Sequence, residues 1–291
     1  MHVVFHIGAH CTGEDRLLKS LLKNRDSLSR NGTVVPGPSR YRRLIRQTLR
    51  TMGNHPPTPQ EQQDLLAKIT NEPEIRRLVL SAADFLAYAP WVFRHKTLYG
   101  QAAQVIPALT NLFAHSRVEF HLGIRNPATF IPAVYARTTG LSFDKFLYGA
   151  NLNRIKWSDL IHTIHSANPD AGITIWCNED CPLIWPKVMY GLIGHTPSVA
   201  LHGETDLLAN IMTVEGILCY REYLRANPPK SEARKQRITG VFLEKFSIPE
   251  KIEQVLDLPN WTQDMVDDLT DQYEEDLQEI AAIPGARLIS P

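Results

Sequence analysis

Residues His2-Val3-Val4-Phe5-His6-Ile7 form a mostly apolar run that ends at Gly8-Ala9-His10-Cys11-Thr12-Gly13, and Leu17, Leu18, Leu21 and Leu22 follow at helical spacing. A short strand that turns through two glycines into an amphipathic helix restricts the architectures open to the chain. Gly8 and Gly13 have the separation of a phosphate-binding loop, G-x-x-x-x-G, set between a first strand and a first helix. In such a loop the glycines let successive backbone N–H groups curl inward, and the helix N-terminus adds partial positive charge. Lysine and a hydroxyl side chain ordinarily follow, to neutralise phosphate and hold a metal. Here Glu14 and Asp15 stand next, so the cradle for an anion carries anions of its own.

The rest of the pattern predicts strands alternating with helices. After a strand over 2–7 comes a helix over 14–29, with Glu14 and Asp15 at the positive end of its dipole. Asn31-Gly32 ends that helix, and Thr33-Val34-Val35 is a short extended piece stopped by Pro36. A basic helix with Arg40, Arg42, Arg43, Arg46 and Arg50 follows, either a solvated face or part of a groove for an acidic acceptor. The prolines of 53–59 force a loop. Helices are expected over 60–71 and 101–115, and strands at Arg77-Leu78-Val79-Leu80, 118–124 and 173–176. Beyond residue 200 strand signals fade, and 262–282 reads as an acidic amphipathic helix with Met265, Val266, Leu269, Tyr273 and Leu277 on one side. The expected fold is a single α/β domain over 1–291, a three-layer, P-loop-type parallel sheet flanked by helices, with a mainly helical C-terminal extension from about 200 to 291.

Lysine plus arginine equals aspartate plus glutamate, 31 against 31, so no global field draws the chain to nucleic acid or to an anionic membrane. No apolar run reaches a bilayer span, and no signal peptide is apparent. Cys11, Cys177, Cys181 and Cys219 do not form the framework of a small disulfide-stapled domain, so a reduced, cytoplasmic protein is expected. Cys177-x-x-x-Cys181 is not a paired zinc knuckle, and no metal site is assigned. The partner is an unspecified small molecule or macromolecule.

Ligands of open α/β sheets sit beyond the carboxyl ends of the strands. The first loop, Ser81 to Asp84 and Arg125 all meet that description, and an arginine there can grip phosphate bidentately. His6-Ile7-Gly8-Ala9-His10-Cys11-Thr12-Gly13 resembles the 5′-phosphosulfate loop of bacterial sulfotransferases, commonly H-I-G-x-x-K-T-G-T-T before a leucine-rich helix. Ile124-Arg125-Asn126-Pro127, with Tyr135 ten residues after the arginine, resembles the family's 3′-phosphate motif, R-D-P followed by S-x-Y. Lys230, Arg234, Lys235 and Arg237 before Gly240 loosely resemble its late R-K-G loop over the nucleotide. The resemblance covers residues 1–140 well and the remainder weakly.

Family members transfer the sulfuryl group of 3′-phosphoadenosine-5′-phosphosulfate (PAPS) to a hydroxyl or amine, with a base at the acceptor and loop donors on the leaving oxygens. The resemblance implies nucleotide contacts from Gly8, Ala9, His10, Cys11, Thr12, Gly13, Arg16, Arg125 and Tyr135. It implies no obligatory metal, and Asp84 stands where many relatives carry a catalytic glutamate, as a base or simply the start of the next helix. His10, flanking the loop, is read as a base or phosphate donor or as a strand-end histidine satisfied by backbone. The chain departs from the pattern at three places: Cys11 replaces the catalytic lysine, Glu14 and Asp15 replace the two threonines, and Ala133 replaces the serine eight residues after Arg125. Carboxylates beside a partly buried phosphate cost on the order of several kcal/mol unless paired, and Arg16 and Lys19 lie one turn along to pair them. The expectation is a sulfotransferase-like protein with a degenerate loop, binding a ligand or partner without sulfuryl transfer. The alternative is an active PAPS-dependent enzyme using replacement cations near the loop.

Overall fold

Six strands, β1 (His2–His6), β2 (Thr33–Val34), β3 (Arg77–Ser81), β4 (Arg117–Ile124), β5 (Gly172–Cys177) and β6 (Ala286–Ile289), pair in parallel in the order β2-β3-β1-β4-β5-β6. The computed structural model describes residues 1–13, 15–52, 55–194, 201–252, 258 and 260–291. Central β1 is buried on both faces, which is why it reads as a nearly continuous apolar run. Its register sets Val3 beside Leu78 and Val118, and Phe5 beside Leu80 and Phe120.

Helices cover both faces, giving three layers. On one side Phe5, Ile7, Leu80, Phe120 and Ile175 share a core with residues of α3 (Pro38–Thr51), α5 (Ala102–Asn111) and α8 (Trp157–Ala167). On the other, Val4, Val79 and Trp176 pack with leucines of α1 (Arg16–Leu22) and with Ile184, Trp185, Val188 and Met189 of α9 (Cys181–Ile193). The single helix expected over 14–29 is two, α1 and α2 (Arg25–Arg30). The break falls at Asn24, whose side-chain amide donates to the carbonyls of Ser20 and His202 and accepts the His202 N–H at 2.7 Å. That side chain ties the helix end to a distant segment. The loop expected over 53–59 leads into α4 (Pro59–Ile69) through a capping box of Thr58 and Glu61; Gly53 and Asn54 lie outside the described residues.

Under the C-terminal turn of α9, Arg77 donates to the carbonyls of Leu192 (2.7 Å) and Gly191 (3.2 Å) and pairs with Glu119. Glu119 also bonds His121 at 3.0 Å and His2 at 3.0 Å. A charged group is tolerated on a covered sheet face because its polar atoms are matched here.

The C-terminal part is helical but not a simple extension. α10 (Asp206–Ile211), α11 (Val214–Ala226), α12 (Glu232–Phe246) and α13 (Pro249–Ile252) follow α9, and Leu208, Ile211, Met212, Ile217 and Tyr220 form a separate small core. By contrast α14 (Gln263–Ala281) returns to the sheet, burying Leu269, Tyr273 and Ile280. Its buried Asp276 caps α8, accepting from the N–H of Trp157 at 2.6 Å and from the hydroxyl of Ser158. β6 then completes the sheet beside β5, a strand that the fading signals after residue 200 did not predict. Between β4 and β5 run α6 (Pro127–Tyr135), α7 (Phe143–Leu147) and α8.

Candidate functional site

The chain passes from β1 to β2 and β3 on one side, then crosses to β4 on the other, so the strand order reverses between β1 and β4. At their carboxyl ends lies the crevice where open sheets bind ligands. The Gly8–Gly13 turn sits there, with both glycines at positive φ, +115° and +97°. A Cβ on Gly8 would stand 3.3 Å from the Ala83 carbonyl, so the close approach of two strand ends requires glycine.

The first N–H groups of this loop are already spent. Ala9 N–H donates to Gly123 O at 2.7 Å and His10 N–H to the Tyr99 hydroxyl at 3.0 Å, while Gly123 N–H returns to Gly8 O at 2.8 Å. Thr12 turns its hydroxyl onto Ala9 O at 2.7 Å. Among the described residues, the N–H groups of Thr12 and Gly13 have no protein acceptor. Stapling of the loop to β4 and Tyr99 thus leaves its later part to face a ligand.

Both expected bases are engaged within the protein. His10 is buried, its Nδ1 2.7 Å from the Tyr99 hydroxyl, and burial pushes it down to about 4 despite the nearby Asp84 carboxylate. Asp84 forms an ion pair with Arg46 of α3. The partner of Asp15 is likewise on α3. Arg42 grips both its carboxylate oxygens at 2.5 and 3.1 Å and donates a further bond to Ser81 O at 2.9 Å. This bond to Arg42 holds the Asp15 carboxyl below its usual range. Asp15 stands at the N-cap of α1, at the positive end of the helix dipole as expected, but its carboxylate turns to Arg42 and makes no side-chain cap; Glu14 lies outside the described residues. The basic helix is therefore not simply a solvated face: Arg42 and Arg46 lock the β1 and β3 loops together, while Arg43 and Arg50 are exposed.

On the β4 side the loop borders a cleft of about 760 Å³. Cys11, Thr12, Gly13, Arg16 and Arg125, named from sequence, all line it, and so does Ala133. Arg125 is buried, donating from Nε to Thr129 Oγ1 at 3.0 Å and from Nη1 to the Cys11 carbonyl at 2.7 Å. An arginine expected to bind phosphate thus braces the loop, and burial lowers its pKa. Arg16 is half-buried and, among the described residues, its guanidinium has no hydrogen bond or ion pair.

Sequence reasoning missed Arg137, Asn178, Glu179, Trp185, Leu207, Ile211 and Lys251, which share this cleft. Asn178 and Glu179 follow the carboxyl end of β5, so the strand-end rule pointed at them. Glu179 accepts the Asn126 N–H at 2.8 Å and the Tyr273 hydroxyl at 3.3 Å, and burial pushes its carboxyl up. The residues from α10 and α13 carried no sequence signal, since packing alone brings them here.

Other assignments fall elsewhere. Tyr135 packs against Phe143 and Phe146 and donates to Leu141 O at 3.1 Å, away from the cleft. Lys230, Arg234, Lys235 and Arg237 do not line it; Lys235 pairs with Glu204. Cys177 and Cys181 are buried thiols that burial drives up, and among the described residues no group of three metal-ligating side chains occurs. Among those residues, too, no helix is long and apolar enough to cross a membrane. No family model matches the chain, and no curated protein matches it.

Proposed function

We propose that the cleft beside the Gly8–Gly13 loop binds a phosphate-bearing small molecule, in a sulfotransferase-like protein that does not carry out sulfuryl transfer. One observation carries this reading: Arg16, Arg125, Arg137 and Lys251 converge on a cleft at the strand-order reversal, beside a helix N-terminus, with Glu179 as the carboxylate among its described lining residues. Such a field concentrates anions, and guanidinium groups suit phosphate oxygens. Strand order and loop placement support a P-loop-type reading of the fold. The four thiols support a reducing compartment, the cytoplasm.

The residues present are a poor match for a phosphosulfate donor. Cys11 supplies no fixed charge, Ala133 supplies no hydroxyl, Arg125 is engaged with Cys11 O and Thr129, and Asp84 is engaged with Arg46. Arg16 is the one observation that favours the active alternative, since it lines the cleft near Cys11 as a replacement cation would. Calorimetric titration with inorganic phosphate at low ionic strength tests the binding reading. Binding weakened roughly tenfold in Arg16→Gln, the worth of one charge-assisted contact, supports it. No heat in the wild type, or equal heat in Arg16→Gln and wild type, overturns it. Turnover of the phosphosulfate donor with a panel of phenols and amines would favour the active alternative instead.

A further inference from the structure

We infer that the ligand is a phosphate monoester carrying one apolar arm, an aryl or alkyl phosphate, rather than a nucleotide. This rests on the anion-binding reading of the cleft and adds what surrounds the anion. The side chains that line the cleft are of two kinds. Arg16, Arg125 and Arg137 come from the loop side, on or beside α1, β4 and α6. Trp185, Leu207 and Ile211 come from α9 and α10, and all three are otherwise buried in the two smaller cores. Lys251 of α13, which packs on α10, adds a fourth cation, and a cleft lined by both cations and apolar side chains suits a ligand with an anionic head and an apolar body.

Apart from the side-chain amide of Asn178, the neutral polar side chains that would read a nucleobase or ribose are committed within the protein. Asn126 accepts the Ala128 N–H on its Oδ1 at 2.9 Å and donates from Nδ2 to the Thr270 hydroxyl at 3.0 Å. Thr129 accepts from Arg125 and donates to Asn126 O at 3.2 Å. Trp185 spends its Nε1–H on Gly203 O at 3.2 Å, which leaves only its ring for contact. Ala133 and Ala136 present methyl groups where α6 and its C-terminal end border the cleft. A heterocycle transferred here would find Asn178 and Glu179 but few other partners for its donors and acceptors, whereas a hydrocarbon arm loses nothing. A volume of about 760 Å³ has room for a two-ring arm behind a phosphate.

The test is calorimetric titration of the full chain with three probes: inorganic phosphate, 1-naphthyl phosphate and 3′-phosphoadenosine-5′-phosphate. The first two share a head, so their ratio isolates the arm. Expected is an affinity for naphthyl phosphate at least tenfold above that for inorganic phosphate and above that for the nucleotide. In Leu207→Ser/Ile211→Ser the ratio of naphthyl phosphate to inorganic phosphate affinity should shrink severalfold; the wild-type ratio stands by itself if the double variant does not fold. Equal affinities for phosphate and naphthyl phosphate would overturn the inference while leaving an anion site in place. Tighter binding of the nucleotide would overturn it in favour of the nucleotide. Absence of binding by all three would overturn the anion-binding reading itself.

Discussion

Acidification from pH 7.5 to 5 should cost this fold about 4 kcal/mol through two buried histidines, His6 and His10. His6 is 4% exposed, bonded through Nδ1 to Ser81 at 2.8 Å and stacked on Trp176, and burial together with neighbouring His121 lowers it to about 3. Burial holds His10 at about 4. In the unfolded chain both return to the ordinary value of 6.5, so stability is whole above that pH and falls as protons bind the unfolded state first. At pH 5 each unfolded imidazole is protonated one and a half units beyond its midpoint while the folded one remains neutral, which is about 2 kcal/mol apiece. Burial moves the carboxyls of Glu179, Asp180 and Asp276 upward, which opposes the trend. A difference between variants removes those shared contributions. Urea denaturation followed by tryptophan fluorescence at pH 7.5, 6.5, 5.5 and 5 measures it. His6→Asn keeps a hydrogen-bonding side chain beside Ser81 but cannot titrate, so its stability should fall about 2 kcal/mol less than that of the wild type across this window. Parallel pH profiles for the two proteins would refute the assignment of a buried, neutral His6.

Three further outcomes follow from the contacts. Asp276→Ala removes the acceptor for the Trp157 and Ser158 N–H groups inside the core, and should lower unfolding free energy by about 2–3 kcal/mol in the same urea assay. Arg42→Ala breaks the clamp on Asp15, but Asp15 is 43% exposed, so screening limits the loss to about 1 kcal/mol, measured as a change in urea midpoint that shrinks in high salt. Gly123→Ala puts a methyl group 3.0 Å from the Trp176 indole nitrogen and 3.2 Å from the Thr12 hydroxyl. It should cost about 1–3 kcal/mol and weaken phosphate binding by shifting the loop, both read from denaturation and calorimetry on one preparation.

The sheet was largely legible because its strands are buried on both faces. Val3-Val4-Phe5 and Leu78-Val79-Leu80 can hardly be anything else once bounded by turn residues. β6 escaped because an edge strand of Ala286-Arg287-Leu288-Ile289 buries little and carries no alternation. The site was legible only on its chain-local side. Cys11 to Gly13, Arg16 and Arg125 were found because strand ends and loop spacing announce them, whereas Trp185, Leu207 and Lys251 reach the cleft through packing of α9, α10 and α13. Charge pairing was the part sequence misjudged. Arg16 and Lys19 lay one turn from Asp15, yet Arg42, distant in sequence, made the bond. Helical proximity fixes which residues can meet, and the tertiary fold decides which do.

The arginines also divide the loop into two unlike flanks, and the division bears on whether a two-substrate reaction has room. On the β3 flank, Arg42 and Arg46 are consumed by Asp15 and Asp84, Tyr41 donates to Ser81 O at 2.6 Å, and Tyr99 fills the space behind His10. On the β4 flank, Arg16 and Arg137 are among the residues that line the cleft. Group transfer across the loop needs an acceptor and its base on one side of the donor with cations over the leaving group. In this chain the cations and the volume lie together on one flank, while the carboxylate and imidazole that would serve an acceptor are tied up on the other. Releasing the β3 flank by Arg46→Ala frees Asp84 without touching the cleft. If that ion pair alone keeps Asp84 from serving as a base, the variant should turn over the phosphosulfate donor. If the proposed absence of transfer rests on Cys11 and Ala133, the variant should bind phosphate like the wild type and transfer nothing, which is the expected outcome.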